Sequence, residues 1–225
     1  MKHHYYFCKK LGFTLAETLI TLGIIGIVAA LTMPALLSNY RKHLTETRLK
    51  HFYSEINQAI KHAEIDYGNT SEWEFGLFTP TSTYIEYKEW LNKYILPYIK
   101  HLKVDNCHGP FACIYFTNGS MLIFGYDNVI FYPIATTNIP TAVMGKDKFA
   151  FGFAPNSPHN PLAKNKGIEP YLGSLYNNDL TTLYNSDDYG CNSTTSIQKN
   201  NLNRYCTRII QMNGWKIPNN YPIKF

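Results

Sequence analysis

The longest apolar stretch of the chain lies near its N-terminus. Residues 13–37 (FTLAETLITLGIIGIVAALTMPALL) contain a single charged side chain, Glu17. At about 1.5 Å per residue, a helix of this length exceeds the roughly 30 Å hydrocarbon core of a bilayer, and all its sides are apolar. The pattern predicts a transmembrane helix. A cleaved secretory signal is the rival interpretation, but its apolar region is only about 7–15 residues long and ends at a small-residue site that is missing here.

The helical period continues beyond the apolar stretch, but the pattern becomes amphipathic. Apolar side chains recur at steps of three to five residues, and Gly68-Asn69 ends the pattern. We therefore predict one helix from Phe13 to Tyr67, with a bend or loosened turn at Pro34, because proline removes a backbone hydrogen bond. The apolar positions of the second half are Leu44, Leu49, Phe52, Ile56, Ala59, Ile60 and Ala63.

The centre of the chain changes from a helical to a β pattern. Residues 87–99 predict a second, shorter amphipathic helix closed by Pro97. Residues 111–117 and 120–125 predict a β-hairpin, in which Asn118-Gly119 supplies the positive φ angles of a type I′ turn.

The C-terminal half continues the sheet and then becomes irregular. Residues 128–135 and 148–154 predict two further aromatic-rich strands. Residues 155–196 are rich in Asn, Ser, Pro and Gly and predict a long irregular loop. Helical spacing returns over residues 202–210 and stops at Gly214. The fold class predicted from these elements is α+β: a long N-terminal helix packed on an antiparallel sheet.

Charge and motif content exclude several functions. The net charge is +5, but Lys2, Lys9 and Lys10 lie in the first ten residues, so 18 other basic residues face all 16 acidic ones. A nucleic-acid binder needs a basic stripe, and no specific nucleic-acid partner is predicted. The sequence has no nucleophile-elbow motif and no glycine-rich phosphate loop, so we predict neither an enzyme nor a bound cofactor.

Glu17 is the unusual residue of the apolar segment. A carboxylate is costly in hydrocarbon, and no Lys, Arg or His lies near it within the segment. Two explanations stay open. The side chain could be shallow enough to reach the interface, or a free α-amine, created by cutting the chain before Phe13, could meet it.

The N-terminal residues carry a family resemblance. Lys9-Lys10-Leu11-Gly12, followed by Phe13-Thr14-Leu15-Ala16-Glu17 and the apolar helix, resembles the class III signal of type IV pilins and type II secretion pseudopilins. The resemblance covers about the first 40 residues. It implies that a prepilin peptidase cuts after Gly12 and N-methylates Phe13, and that Glu17 neutralises the N-terminus of a neighbouring subunit. Pro34 matches a helix-kinking proline of many family members.

The resemblance also implies a domain organisation and partners. Residues 1–12 would be a removed leader, residues 13–37 a transmembrane and filament-core helix, and residues 38–225 an extracytoplasmic pilin-like head. The expected partners are the prepilin peptidase, other pilin or pseudopilin subunits and an inner-membrane assembly platform.

The cysteines indicate on which side of the membrane the head lies. Removal of the leader takes Cys8 away and leaves an even number, which suits disulfides in an oxidising compartment. Of the three possible connectivities, we favour the local pairs Cys107–Cys113 and Cys191–Cys206. Cys107–Cys113 would staple the entry to the hairpin, and Cys191–Cys206 would pin the C-terminal region, as the family resemblance implies. Paired cysteines would place the head outside the cytoplasm.

Metal sites are the competing use of these side chains. Zinc held by Cys107, His108 and Cys113 is the rival to a disulfide, but the spacing matches no standard zinc motif. The histidines of the long helix are expected on its solvated surface, and the spacing of three aspartates fits no calcium motif. These residues are His43, His51 and His62, and Asp179, Asp187 and Asp188.

The sequence thus predicts a structural protein of the inner (cytoplasmic) membrane: a prepilin-type subunit of a type IV pilus-like, secretion or competence filament. The alternative is a single-pass membrane protein with an extracytoplasmic binding head that never polymerises, for which Gly12 and Glu17 are accidental. An exported enzyme with an uncleaved anchor is a third interpretation.

Overall fold

The computed structural model describes residues 12, 14–74, 81–125, 128–153, 155, 167–173, 179–192 and 203–225. They form two compact units, one ending at Arg41 and one spanning Lys42–Phe225. Helix α1, Leu15–Tyr67, contributes to both units and confirms the long helix predicted from the sequence. The predicted boundary at residues 37–38 and the removal of a leader stay predictions.

The second unit is built on a six-stranded antiparallel sheet. Its strands follow the chain in the order β1 to β6, so each strand pairs with the next in a meander. The sequence predicted β2 to β5 but neither of the two edge strands. The strands are β1 His101–His108, β2 Phe111–Phe116, β3 Met121–Gly125, β4 Asn128–Tyr132, β5 Phe149–Gly152 and β6 Glu169–Pro170.

Short helices complete the unit. Helix α2 begins three residues earlier than predicted, because Thr83 and Glu86 form a capping box, and the predicted end around Pro97 is a separate 3₁₀ turn. Helix α3 lies inside the segment predicted to be irregular, and helix α4 confirms the predicted C-terminal helix. The helices are α2 Tyr84–Tyr94, α3 Leu180–Asn185 and α4 Cys206–Met212, with 3₁₀ turns at Thr70–Glu72, Leu96–Tyr98 and Ile139–Thr141.

Both faces of the sheet are covered. On one face, the Phe52 ring from α1 stacks on Phe131 with ring centroids 4.3 Å apart, and Trp90 from α2 stacks on Phe124 at 5.2 Å. On the other face, a smaller cluster packs around Ile139, from the segment after β4. This double burial explains why β2 and β3 are almost continuously apolar instead of alternating. The smaller cluster contains Cys113, Met121, Ile123, Tyr132 and Ile139.

The β2–β3 hairpin is confirmed, but its turn type differs from the prediction. The N–H of Gly119 donates to the carbonyl of Phe116, and the N–H of Phe116 donates to the carbonyl of Ser120. Gly119 has a φ of 79°, whereas Asn118 does not have positive φ, so the loop has three residues and ends in a glycine bulge. The Arg48 guanidinium of α1 donates to the Asn118 carbonyl and fixes this longer turn to the helix.

Candidate processing and assembly site

The N-terminal site begins just before helix α1. Gly12 and Thr14 are exposed and lie outside the helix, and among the described residues other than its chain neighbours no heavy atom lies within 4 Å of a β-carbon placed on Gly12. Phe13, the predicted methylation position, lies outside the described residues. The first backbone hydrogen bond of the helix runs from the Thr18 N–H to the Thr14 carbonyl, 3.2 Å long. Thr14 is therefore the N-cap of α1.

Glu17 completes a capping box with Thr14. Its Oε2 accepts hydrogen bonds from the backbone N–H and the hydroxyl of Thr14, both 2.8 Å long, and its own N–H donates to the Thr14 hydroxyl at 3.3 Å. The Thr-x-x-Glu spacing marks this box in the sequence, although the box was not among the predictions. Within one chain, the carboxylate thus has polar partners at the start of the helix. The predicted pairing of Glu17 with the N-terminus of a neighbouring subunit is not tested by this contact and stays a prediction.

The first half of α1 is an apolar surface on all sides. An 18-residue window has a mean hydropathy of 2.3 and is not buried at all, so the helix is long and apolar enough to cross a membrane. Its threonine hydroxyls bond backwards to helix carbonyls: Thr18 to Leu15 at 2.8 Å and Thr32 to Val28 at 2.9 Å. Polar groups satisfied within the helix are what a hydrocarbon environment requires.

Pro34 lies inside α1, and the helix assignment continues through it. The structure therefore shows no break at the proline, and the predicted bend stays a prediction. Among the residues that the structure describes, outside the nearby backbone of the helix itself, Gly23 and Gly26 have no heavy atom within 4 Å of the position that a β-carbon would occupy. Small residues of this kind allow close helix approach in membranes.

Both predicted disulfides are present. Cys191 is joined to Cys206 at the start of α4, with the two Cα atoms 4.8 Å apart, which confirms the pinned C-terminal region. Cys107 is joined to Cys113 with Cα atoms 5.9 Å apart. The β1–β2 register shifts between Asn106 and His108, so Cys107 is the extra residue of a bulge. Sulfurs bonded to each other cannot serve as thiolate ligands, so the zinc alternative is wrong for this pair.

Three of the remaining metal candidates have other contacts. His43 and His51 are mostly exposed and face Glu46 and Glu55, each at 3.3 Å. Asp179 caps α3 by accepting a hydrogen bond from the Thr182 N–H at 3.1 Å. Within the described ranges, no three His, Cys, Asp or Glu side chains are grouped as metal ligands.

A buried carboxylate that was not predicted from the sequence anchors the C-terminal tail. Glu46 of α1 is only 4% exposed; it accepts hydrogen bonds from the Ile217 N–H at 2.9 Å and from the Lys216 ammonium at 3.0 Å. Burial alone would raise the pKa of Glu46, but these hydrogen bonds outweigh it and hold the pKa below its ordinary value.

The end of helix α4 determines the backbone path of the segment that leads to Glu46. Gly214 has a φ of 67° and donates to the Gln211 carbonyl, while the Trp215 N–H donates to the Ile210 carbonyl. These two bonds form a Schellman motif, which ends the helix at the glycine predicted to stop it. Trp215 itself has a φ of 65°, a costly conformation for a bulky side chain, and its ring centroid lies 4.8 Å from that of Tyr53.

Comparisons with known proteins divide the chain in two. A family model described as "Family of unknown function (DUF6613)" matches residues 35–225. A model described as "Prokaryotic N-terminal methylation motif" matches residues 8–33, which include Gly12, Phe13 and Glu17. Neither the curated proteins nor the solved structures give a match. The chain therefore belongs to the family of unknown function DUF6613, and it carries at its N-terminus the methylation motif that is the signature of type IV pilins and pseudopilins.

Proposed function

We propose that a prepilin peptidase cuts this chain after Gly12 and N-methylates Phe13, and that the product is a structural subunit of a type IV pilus-like or pseudopilus filament. The observation that carries the proposal is the methylation motif at residues 8–33, which extends into the exposed apolar first half of helix α1. Proteins with this motif are structural, not catalytic.

Two physical features favour a cut after Gly12: the positive charge of the leader and the access of a protease to the glycine. The leader carries Lys2, Lys9 and Lys10, which would hold the uncut N-terminus in the cytoplasm. Gly12 has no side chain, so it leaves room and backbone freedom for a protease subsite. Removal of the leader lets the apolar helix leave the bilayer for a filament without moving three lysines through lipid.

The role assigned to Glu17 is to receive the new N-terminus of a neighbouring subunit. In the single chain the carboxylate is bound by the Thr14 N–H and hydroxyl, so in a filament it would exchange or extend these contacts to meet the ammonium of a neighbour. An ammonium and a carboxylate that meet in a low-dielectric filament core attract each other strongly.

The proposed location is the inner membrane, with a single span and the head outside the cytoplasm. The two disulfides support this orientation, because such bonds persist in oxidising compartments. The further proposed partners are other pilin or pseudopilin subunits and a membrane assembly platform.

Mass spectrometry of the protein purified from its native membranes tests the proposal. We expect a chain that begins with N-methylated Phe13. Gly12→Leu should abolish the cut and keep the protein out of sheared filaments, whereas the control Gly23→Ala should be cut normally. An intact Met1 in the native protein would favour a membrane-anchored head that never polymerises.

A further inference from the structure

Two Asn-Gly pairs lie on the surface of the second unit. Asn118-Gly119 is in the β2–β3 turn, Asn213-Gly214 follows helix α4, and all four residues are exposed. The backbone nitrogen of the next residue can attack an asparagine side chain, and glycine allows this approach because it has no side chain. Both glycines have positive φ, 79° and 67°, and each N–H donates to a turn carbonyl, so these features do not distinguish the two pairs.

The side-chain oxygen of Asn118 is held by two donors. Its Oδ1 accepts hydrogen bonds from the Ser120 N–H at 2.9 Å and from the Ser120 hydroxyl at 2.6 Å. Attack on Cγ moves negative charge onto this oxygen. Donors that are already in place therefore stabilise the tetrahedral intermediate, as in an oxyanion hole.

Asn213 has the opposite contacts. Its Nδ2, the group that would have to leave, donates a hydrogen bond to the Lys216 carbonyl at 2.9 Å. Within the described part of the chain, no donor to its Oδ1 is found. The bond to Lys216 holds the leaving amide in place and does not stabilise charge on the oxygen. This pair therefore has the glycine without the donors.

Asn69 is the converse case. Its Oδ1 accepts hydrogen bonds from the Ser71 N–H at 2.9 Å and from the Ser71 hydroxyl at 2.7 Å, as at Asn118. The next residue is Thr70, whose side chain branches at the β-carbon and crowds the attacking nitrogen. Of these three exposed asparagines, Asn118 combines both features: the following glycine and the two donors.

We propose that Asn118 is a site of spontaneous deamidation in the folded protein. Hydroxide takes the Gly119 N–H proton, and the nitrogen forms a bond to Asn118 Cγ. The Cγ–Nδ2 bond breaks, and the amide leaves as ammonia after it takes a proton from water. Water then opens the five-membered imide at either carbonyl and leaves an aspartate or an isoaspartate. The net change consumes one water, releases one ammonia and needs no oxidant or reductant.

The modification would alter a structural contact. Arg48 joins helix α1 to the turn by donating hydrogen bonds to the carbonyls of Asn118 and Pro133. An aspartate at position 118 puts a carboxylate next to this guanidinium, whereas an isoaspartate adds a methylene group to the backbone of the turn. This inference goes beyond the filament-subunit role, because it concerns the chemical ageing of the second unit.

Peptide mapping by mass spectrometry tests the proposal. The purified full chain is incubated in detergent micelles at mildly alkaline pH, and the amide-to-acid mass change is followed at Asn118, Asn213 and Asn69. We expect deamidation at Asn118 to be at least about fivefold faster than at Asn213, the rate equivalent of one hydrogen bond, and Asn69 to stay intact. In urea, where the fold is lost, Asn118 and Asn213 should react at similar rates.

A variant makes the test specific to the donors. Ser120→Ala removes the hydroxyl, so the rate at Asn118 in the folded chain should fall about fivefold while the rate at Asn213 does not change. Ser71→Ala is the matched control; it removes the equivalent hydroxyl at Asn69 and should leave the rate at Asn118 unchanged. Circular dichroism checks the fold of each variant, and the wild-type comparison of Asn118 with Asn213 does not depend on either.

Three results would overturn the proposal. They are a folded wild-type chain in which Asn118 reacts no faster than Asn213, an unchanged rate at Asn118 in folded Ser120→Ala, and a ratio of the two rates that is as large in urea as in the native protein. Cut and uncut chains both contain the β2–β3 turn, so these results are independent of whether the peptidase acts after Gly12.

Discussion

The backbone N–H of Ile217 donates a hydrogen bond to the Glu46 carboxylate across a sequence separation of 171 residues. The bond joins the C-terminal tail to the helix at a buried point, where an unpaired donor or acceptor is costly. It therefore makes the tail part of the folded unit around the sheet, although the tail from 213 onwards has no helix or strand of its own.

Glu46→Leu removes the acceptor and leaves the Ile217 N–H buried without a partner, so we expect the free energy of unfolding to fall by about 2 kcal/mol. Glu46→Gln keeps an acceptor oxygen and loses the attraction to Lys216, so its cost should be smaller, about 1 kcal/mol. Urea unfolding in detergent measures both. Glu55→Gln, at a more exposed helix position, is the control and should be nearly neutral; an equal loss there would contradict the anchor.

The same carboxylate predicts a pH dependence. Because the pKa of Glu46 is lower in the folded protein than in the unfolded chain, its stabilisation is complete above the ordinary glutamate pKa of about 4.3. It is lost as the pH falls through the folded value. The stability difference between wild type and Glu46→Gln should therefore be constant near neutrality and shrink below about pH 4. A difference that grows on acidification would contradict this assignment.

The Glu17→Gln variant separates the capping role of Glu17 from its proposed charge pairing with a neighbouring N-terminus. Glutamine can complete a capping box with Thr14, so we expect normal insertion into the membrane and a normal start of α1. It carries no charge, so incorporation into sheared filaments should fall about tenfold or more. Immunoblots of membrane and sheared fractions measure both quantities. Thr14→Ser keeps the box and serves as the control; normal assembly of Glu17→Gln would show that the charge of Glu17 is not needed.

The two disulfides should contribute unequally to stability. Loss of Cys191–Cys206, which closes the longer loop, is expected to cost about 3 kcal/mol in the Cys191→Ser/Cys206→Ser variant. Loss of Cys107–Cys113, with a sequence separation of 6, should cost about 2 kcal/mol. Urea midpoints give the order, and non-reducing peptide mapping should find no free thiol among these four cysteines in the native protein.

Gly145 is a site where a single methyl group should be harmful. Its φ is 85°, and an added β-carbon would lie 2.6 Å from Ile223 Cδ1 and 2.8 Å from Cys206 Sγ. Gly145→Ala should therefore lower the free energy of unfolding by about 3 kcal/mol, from strain and overpacking together. Gly109→Ala also has a positive φ, 57°, but open space, and should cost about 1 kcal/mol. Equal losses of unfolding free energy in the two variants would show that the close contacts at Gly145 do not contribute to the effect.

The elements predicted from sequence are those with strong local patterns. Helix α1 has an apolar stretch and then an amphipathic stripe, and the β2–β3 hairpin has Asn118-Gly119 between two apolar runs. Strand β1 was missed because it is an edge strand rich in polar residues, with Leu102 68% exposed. Strand β6 has two residues, and its position depends on contacts such as that between Asn57 and the Ile168 carbonyl, which no local pattern reveals.

The residues of the site also divide into those with a local sequence pattern and those whose role depends on distant contacts. The Gly12–Glu17 motif is local, so it could be recognised from a few adjacent residues. Glu46 could not, because nothing near it in the sequence distinguishes it from the solvated glutamates of the same helix. Its burial results from a tail that folds back over the helix, and the start of α2 was misplaced although Thr83 and Glu86 carry the capping spacing.

The Cys191–Cys206 bond also determines how the protein would respond to a protease. A backbone cut at any peptide bond between these two cysteines leaves both fragments covalently attached through sulfur. The nicked protein would migrate as a single species on a non-reducing gel and separate only after reduction. Helix α4 and the tail anchored at Glu46 would therefore stay attached to the rest of the protein after such damage.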